Sequence, residues 1–91
     1  MGIRNTSLRV SPLSGPDGTS ISIRIRGALA HDPITITIGP GSTGVAADIY
    51  GESLTMDRIA GFPPESAVLI TVIIGTGAND QTRQATFHVT G

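Results

Sequence analysis

Between residues 21 and 38 this chain twice alternates isoleucine with polar residues, and that period of two commits it to β-structure. Ile21-Ser22-Ile23-Arg24-Ile25-Arg26 and Ile34-Thr35-Ile36-Thr37-Ile38 each put every second side chain on one face. Successive strand side chains point to opposite sides, so each segment offers isoleucine to a core and polar groups to water. Ala85, Phe87 and Val89 alternate in the same way with Gln84, Thr86 and His88. Leu8 and Val10 mark a weaker first strand, and Leu54 and Met56 another. β-branched residues crowd these segments, which suits a pleated surface and suits a helix poorly.

Turn chemistry separates the strands. In Gly15-Pro16-Asp17-Gly18, proline presets φ at the second turn position and Gly18 closes it, a type I signature. The other breaks are 27–33, 39–44, 61–66 and 75–80, and most of the twelve glycines and six prolines fall in such gaps. Strands recurring roughly every ten residues with this punctuation indicate a sandwich or barrel. The one stretch with helical character, 45–50, is too short before Gly51 to be more than extended chain or a single turn. The expected organisation is an N-terminal tail over 1–7 and one all-β domain over 8–91.

Ninety-one residues suffice for one modest core. Cysteine and tryptophan are absent, and Tyr50, Phe62 and Phe87 are the only aromatics. The core must therefore be aliphatic and held by packing alone, with Ile23, Ile36, Ile70, Val72 and Phe87 expected inside. Six arginines, with no lysine, face seven carboxylates. No basic stripe is visible along the chain, which argues against a nucleic-acid partner. The longest apolar run, 67–74, is far too short to span a membrane, so no membrane insertion is expected. No signal peptide is expected at the N-terminus.

Ser11 to Thr19, Asp48 to Gly51, Phe62 to Pro64 and Ala85 to Thr90 carry motifs whose order resembles that of bacterial extracellular Ig-like modules of the IPT/TIG-like kind. Ser11-Pro12-Leu13-Ser14-Gly15-Pro16-Asp17-Gly18-Thr19 is similar to their opening Pro-x-Ser-Gly-Pro-x-Gly-Thr run. Asp48-Ile49-Tyr50-Gly51 looks like the Asp-x-x-Gly turn between their middle strands, and Phe62-Pro63-Pro64 like the proline-rich link before the penultimate strand. Ala85-Thr86-Phe87-His88-Val89-Thr90 resembles their closing Phe-x-Val strand. The His-containing 27–33 loop is shorter than theirs, and the penultimate strand is more apolar. The resemblance implies an all-β, immunoglobulin-like two-sheet antiparallel sandwich of about seven strands. It also implies a place in a longer secreted chain, extracellular or at the cell surface.

The sequence offers several constellations that could carry chemistry, and each has a plainer reading. Gly39-Pro40-Gly41-Ser42-Thr43-Gly44 matches G-x-G-x-x-G, but no helix can follow it to receive a pyrophosphate, and Pro40 removes one amide. It reads as a wide glycine-rich loop. His31 and His88 lie far apart, and a metal would need three or four convergent ligands. Asn79-Asp80, with Asp17, Asp48 or Asp57, could approach a calcium ion at one sandwich end, yet their spacing is that of turn-forming residues. No G-x-S-x-G is present, and Tyr50 alone is a candidate for stacking on sugar. Asn5-Thr6-Ser7 is a glycosylation sequon in the expected tail, without meaning in a bacterial protein. A single Ile-Thr-Ile-Thr-Ile strand makes no ice-binding array. Neither a catalytic residue, nor a cofactor, nor a metal is assigned, and the chain is read as no enzyme.

The penultimate strand carries the one positive indication of a site. Val68, Ile70, Val72 and Ile74 should face the core, which leaves Leu69, Thr71 and Ile73 on the outside. Near-continuous apolar sequence indicates a strand covered on both faces. Leu69, Thr71 and Ile73 are therefore the candidate interface, unless flanking loops fold over them. The expected function is a non-catalytic spacer or protein-interaction module, partnered by neighbouring domains or another protein. Self-association is possible, as in a phage decoration or tail protein. A third alternative binds a ligand through the loops at one end.

Overall fold

The computed structural model describes residues 6–75 and 80–90. Among them no helix occurs, and eight strands follow one another: β1 (Ser7–Ser11), β2 (Ser14–Pro16), β3 (Thr19–Arg26), β4 (Pro33–Ile38), β5 (Gly41–Ala46), β6 (Ser53–Ile59), β7 (Ala67–Ile74) and β8 (Gln81–Thr90). They form a three-stranded sheet, β1-β3-β6, and a five-stranded sheet, β2-β8-β7-β4-β5. The count exceeds the seven expected because the chain changes sheets early. The peptide between Ser11 and Pro12 is cis, and beyond it the short β2 pairs in parallel with β8 rather than continuing beside β3. That pairing is also the exception to an otherwise antiparallel arrangement.

The core lies between the sheets and is built by the alternation itself. Ile21, Ile23 and Ile25 of β3 meet Ile34 and Ile36 of β4, Val68, Ile70, Val72 and Ile74 of β7, and Phe87 and Val89 of β8, all buried. The five residues expected inside are all buried. Ile59 and Ala47 join them from β6 and from the link before it.

Two segments differ from expectation. The 39–44 loop is instead a tight hairpin: Gly39 and Pro40 alone connect β4 to β5, and Ile38 pairs with Gly41. Gly39 has a φ of 55°, and a proline follows it, the sign pattern of a type II′ turn. A side chain at Gly39 would also meet the Phe62 ring at 2.7 Å, so glycine is required there twice over. Residues 45–50 divide between the end of β5 and a turn, in keeping with the extended chain or single turn expected there. Thr6, expected in a loose tail, is buried, and its hydroxyl donates to the Gln81 side chain. The Thr6 carbonyl accepts from Arg83 Nε at 3.3 Å, which ties the start of the chain to β8.

The carboxylates hold turns. Asp48 Oδ1 accepts from the backbone N–H of Tyr50 at 2.8 Å and of Glu52 at 3.0 Å, an Asx turn that leads into Gly51. Gly51 is buried at a φ of 74°, and a Cβ on it would lie 1.9 Å from the Ala28 carbonyl oxygen. This close approach locks the 47–52 link against the 27–32 loop, as the bond from Ala28 N to Gly51 O at 3.1 Å also does. At the opposite end Asp17 Oδ1 accepts from Phe62 N at 3.0 Å, which joins the β2–β3 turn to the β6–β7 link.

Candidate functional site

With the core filled, the outer faces of the two sheets are what the molecule offers to partners. On the five-stranded sheet, register places Thr35 beside Ile73 and Ile73 beside Thr82. The next row is Ser42, Thr37, Thr71 and Gln84, and beyond it Leu69 pairs with Thr86. These side chains point away from the core because their strand neighbours Ile36, Ile70, Val72 and Phe87 point into it. Leu69 is 48% exposed, and Ile73 and Thr71 are half-buried within the sheet surface. Gln84 Nε2 donates to Thr71 Oγ1 at 3.3 Å across the strands. Among the described residues of this face His88 is the one ionisable side chain, at the edge opposite Ala67 and Ser14. The result is a surface of threonine hydroxyls and aliphatic groups with one ionisable side chain among the described residues.

The three-stranded sheet is different, and here the sequence reading needs correction. Arg9, Arg24, Arg26 and Arg58 occupy outward positions of β1, β3 and β6 and are all exposed. A basic patch therefore exists, although no stripe is visible along the chain. Residues distant in sequence are brought together by register, with Arg9 directly opposite Arg24. Leu54 and Met56, which mark β6 by their alternation, also point outward, 59% and 67% exposed. Ser53, Thr55 and Asp57 take the inward parity in their place, and Ile59 alone of that strand reaches the core. β6 is an edge strand, so its inward side chains lie at the rim of the sandwich, where polar groups still reach water. The inward-pointing Asp57 also obstructs pairing with a further strand.

Between the β4–β5 hairpin and the end of β6 lies an open groove of about 370 Å³, with Ile38, Pro40, Asp57, Arg58 and Phe62 among its walls. It is the gap left where the edges of the two sheets, β5 and β6, do not meet.

The remaining candidates are not brought together. His31 sits in the 27–32 loop with a φ of 61°, whereas His88 lies on β8 near the other end. Asp17 and Asp48 cap turns at opposite ends, and Asp57 Oδ1 accepts from the N–H of Arg58 at 2.7 Å on the side of the sandwich. No group of three or more potential metal-ligating side chains occurs among the described residues. Asn79, named above with Asp80, and Asn5 of the sequon lie outside the described residues. No helix among the described residues is long and apolar enough to cross a membrane. No family model, curated protein or solved structure matches this chain.

Proposed function

We propose that this chain is a non-catalytic, immunoglobulin-like interaction module of a larger extracellular or cell-surface protein. It docks through the outer face of its five-stranded sheet. The observation that carries this reading is the nearly charge-free surface around Leu69, Thr71 and Ile73, with Leu69 48% exposed at its middle. Charged side chains are what ordinarily keep a sheet face solvated and alone, and interface centres are depleted in them. Ile73 has a threonine on each neighbouring strand and Leu69 has one on β8, and their hydroxyls can exchange water for a partner's polar groups.

Strand order supports the immunoglobulin-like assignment. With β1, β3 and β6 taken as strands A, B and E, β2 as A′, and β4, β5, β7 and β8 as C, C′, F and G, the sheets read A-B-E and A′-G-F-C-C′. This is the order of immunoglobulin sandwiches without strand D. The non-catalytic reading is supported by what the carboxylates do: Asp17, Asp48 and Asp57 each accept backbone N–H groups at turns and strand ends. The partner is a neighbouring domain or a second copy of the chain.

Light scattering on the isolated chain tests the proposal, because an uncovered docking face of this kind sticks to itself as concentration rises. The expected result is weak, concentration-dependent association that the double variant Leu69→Thr, Ile73→Thr abolishes while it stays folded. A double variant that associates as well as the wild type, or one that unfolds because these side chains belong to the core, would contradict it.

A further inference from the structure

The outer face of the three-stranded sheet gathers four of the six arginines onto one side of a chain whose net charge is −1. Its outward positions are Ser7, Arg9 and Ser11 on β1, Ser20, Ser22, Arg24 and Arg26 on β3, and Leu54, Met56 and Arg58 on β6. None is acidic. Among the described residues no ion pair or hydrogen bond engages the guanidinium of Arg9, Arg24, Arg26 or Arg58. Asp48 and Glu52 share a small hollow with Arg24 at the end of the sheet, but Asp48 is occupied by its own turn. Arg9 and Arg24 are direct cross-strand neighbours, a placement in which like charges repel unless an anion lies between them. Ser7, Leu8, Arg9, Arg24 and Arg26 line a hollow of about 260 Å³ on this face.

Beside the arginines lie the two most exposed aliphatic side chains of the sheet. Leu54 is in register with Arg24 and Met56 with Ser22, so an apolar pair is bordered by Arg24 and Arg26 on one side and Arg58 on the other. We propose that this face binds an anionic phospholipid surface. Arg9, Arg24 and Arg26 take the lipid oxyanions by the forked hydrogen bonding that guanidinium favours, and Leu54 and Met56 enter the headgroup layer. The apolar pair distinguishes this ligand from other polyanions. A nucleic acid would leave Leu54 and Met56 against water, and the face has neither an aromatic side chain to stack on bases nor an element to enter a groove. The face lies opposite the proposed docking surface, and the proposal stands independently of it.

Co-sedimentation with vesicles tests it. The intact chain should bind vesicles of equal parts phosphatidylcholine and phosphatidylserine at low salt, bind those of phosphatidylcholine alone far less, and release as salt rises. Each arginine removed should weaken binding about fivefold, so Arg9→Gln with Arg24→Gln should cost about twenty-five-fold. Leu54→Ser with Met56→Ser should weaken binding and leave its salt dependence in place. Leu69→Thr with Ile73→Thr, on the other face, should bind as the wild type does. All these positions are exposed or half-buried at the surface, and an unchanged thermal melt verifies that each variant is folded. The proposal is overturned by failure to bind the mixed vesicles at low salt, by equal binding to phosphatidylcholine alone, or by an arginine double variant that binds normally. Retention on heparin or an oligonucleotide without vesicle binding would replace the lipid by another polyanion and equally overturn it.

Discussion

The two outer faces of this sandwich are built from the same kind of strand and differ in almost every chemical respect. The five-stranded sheet presents Thr35, Thr37, Thr71, Thr82 and Thr86 around Leu69 and Ile73, and His88 is its one ionisable side chain among the described residues. The three-stranded sheet presents Arg9, Arg24, Arg26 and Arg58 around Leu54 and Met56. The contrast shows that a nearly balanced charge count says little about a surface, because strand register sorts residues by face. Arginine and serine alternate with isoleucine in β3, and threonine does so in β4, which gives the two sheets opposite characters from similar patterns.

The largest effects are expected beneath the faces, where the comparison ends. Phe87 and Ile23 are fully buried, and alanine at either should cost about 2–5 kcal/mol in chemical denaturation. Against a total of roughly 5–15 kcal/mol for a domain, that is a severe loss. If Arg24→Ala were as damaging as Ile23→Ala, the inward and outward sides of β3 would be wrongly assigned.

A smaller effect sharpens the difference between the faces. Arg9→Gln removes one of two like charges that stand directly opposite each other, so stability should be unchanged or should rise by about 0.2–1 kcal/mol. The gain should shrink as salt is added, since screening already relieves repulsion between exposed charges. The corresponding change on the other face, Gln84→Ala, should show no such salt dependence. Melting curves at low and high ionic strength check both, and a clear loss of stability in Arg9→Gln would mean that the guanidinium has a partner.

Much of the fold is legible in the residues, and the illegible parts have specific causes. The isoleucine alternation of β3 and β4 fixes which side chains are inside, and the phase of β7 follows from Val68, Ile70, Val72 and Ile74. β5 is hidden because Gly41-Ser42-Thr43-Gly44 has low strand propensity, and only the hairpin at Gly39-Pro40 and pairing with β4 hold it extended. β2 is hidden because three residues beside a turn carry no period. Leu54 and Met56 mislead in another way. They reveal a strand, but alternation alone cannot say which face is inward, and on an edge strand burial does not force the apolar set inside. The outward placement of Leu69 and Ile73 is readable because they break an expected polar alternation. The arginine patch is not, because it requires knowing that β1 and β6 flank β3.

Leu69 is outward and exposed whereas its neighbour Ile70 is fully buried, and thiol labelling reads this directly. The chain has no cysteine, so each single-cysteine variant carries one reporter. In the folded protein at low concentration, Leu69→Cys should react with a thiol reagent as readily as an exposed control at Arg24→Cys, and Ile70→Cys should react only on unfolding. As concentration rises, Leu69→Cys should become protected and Arg24→Cys should not. Equal reactivity at positions 69 and 70, or protection at 69 that does not depend on concentration, would contradict the account.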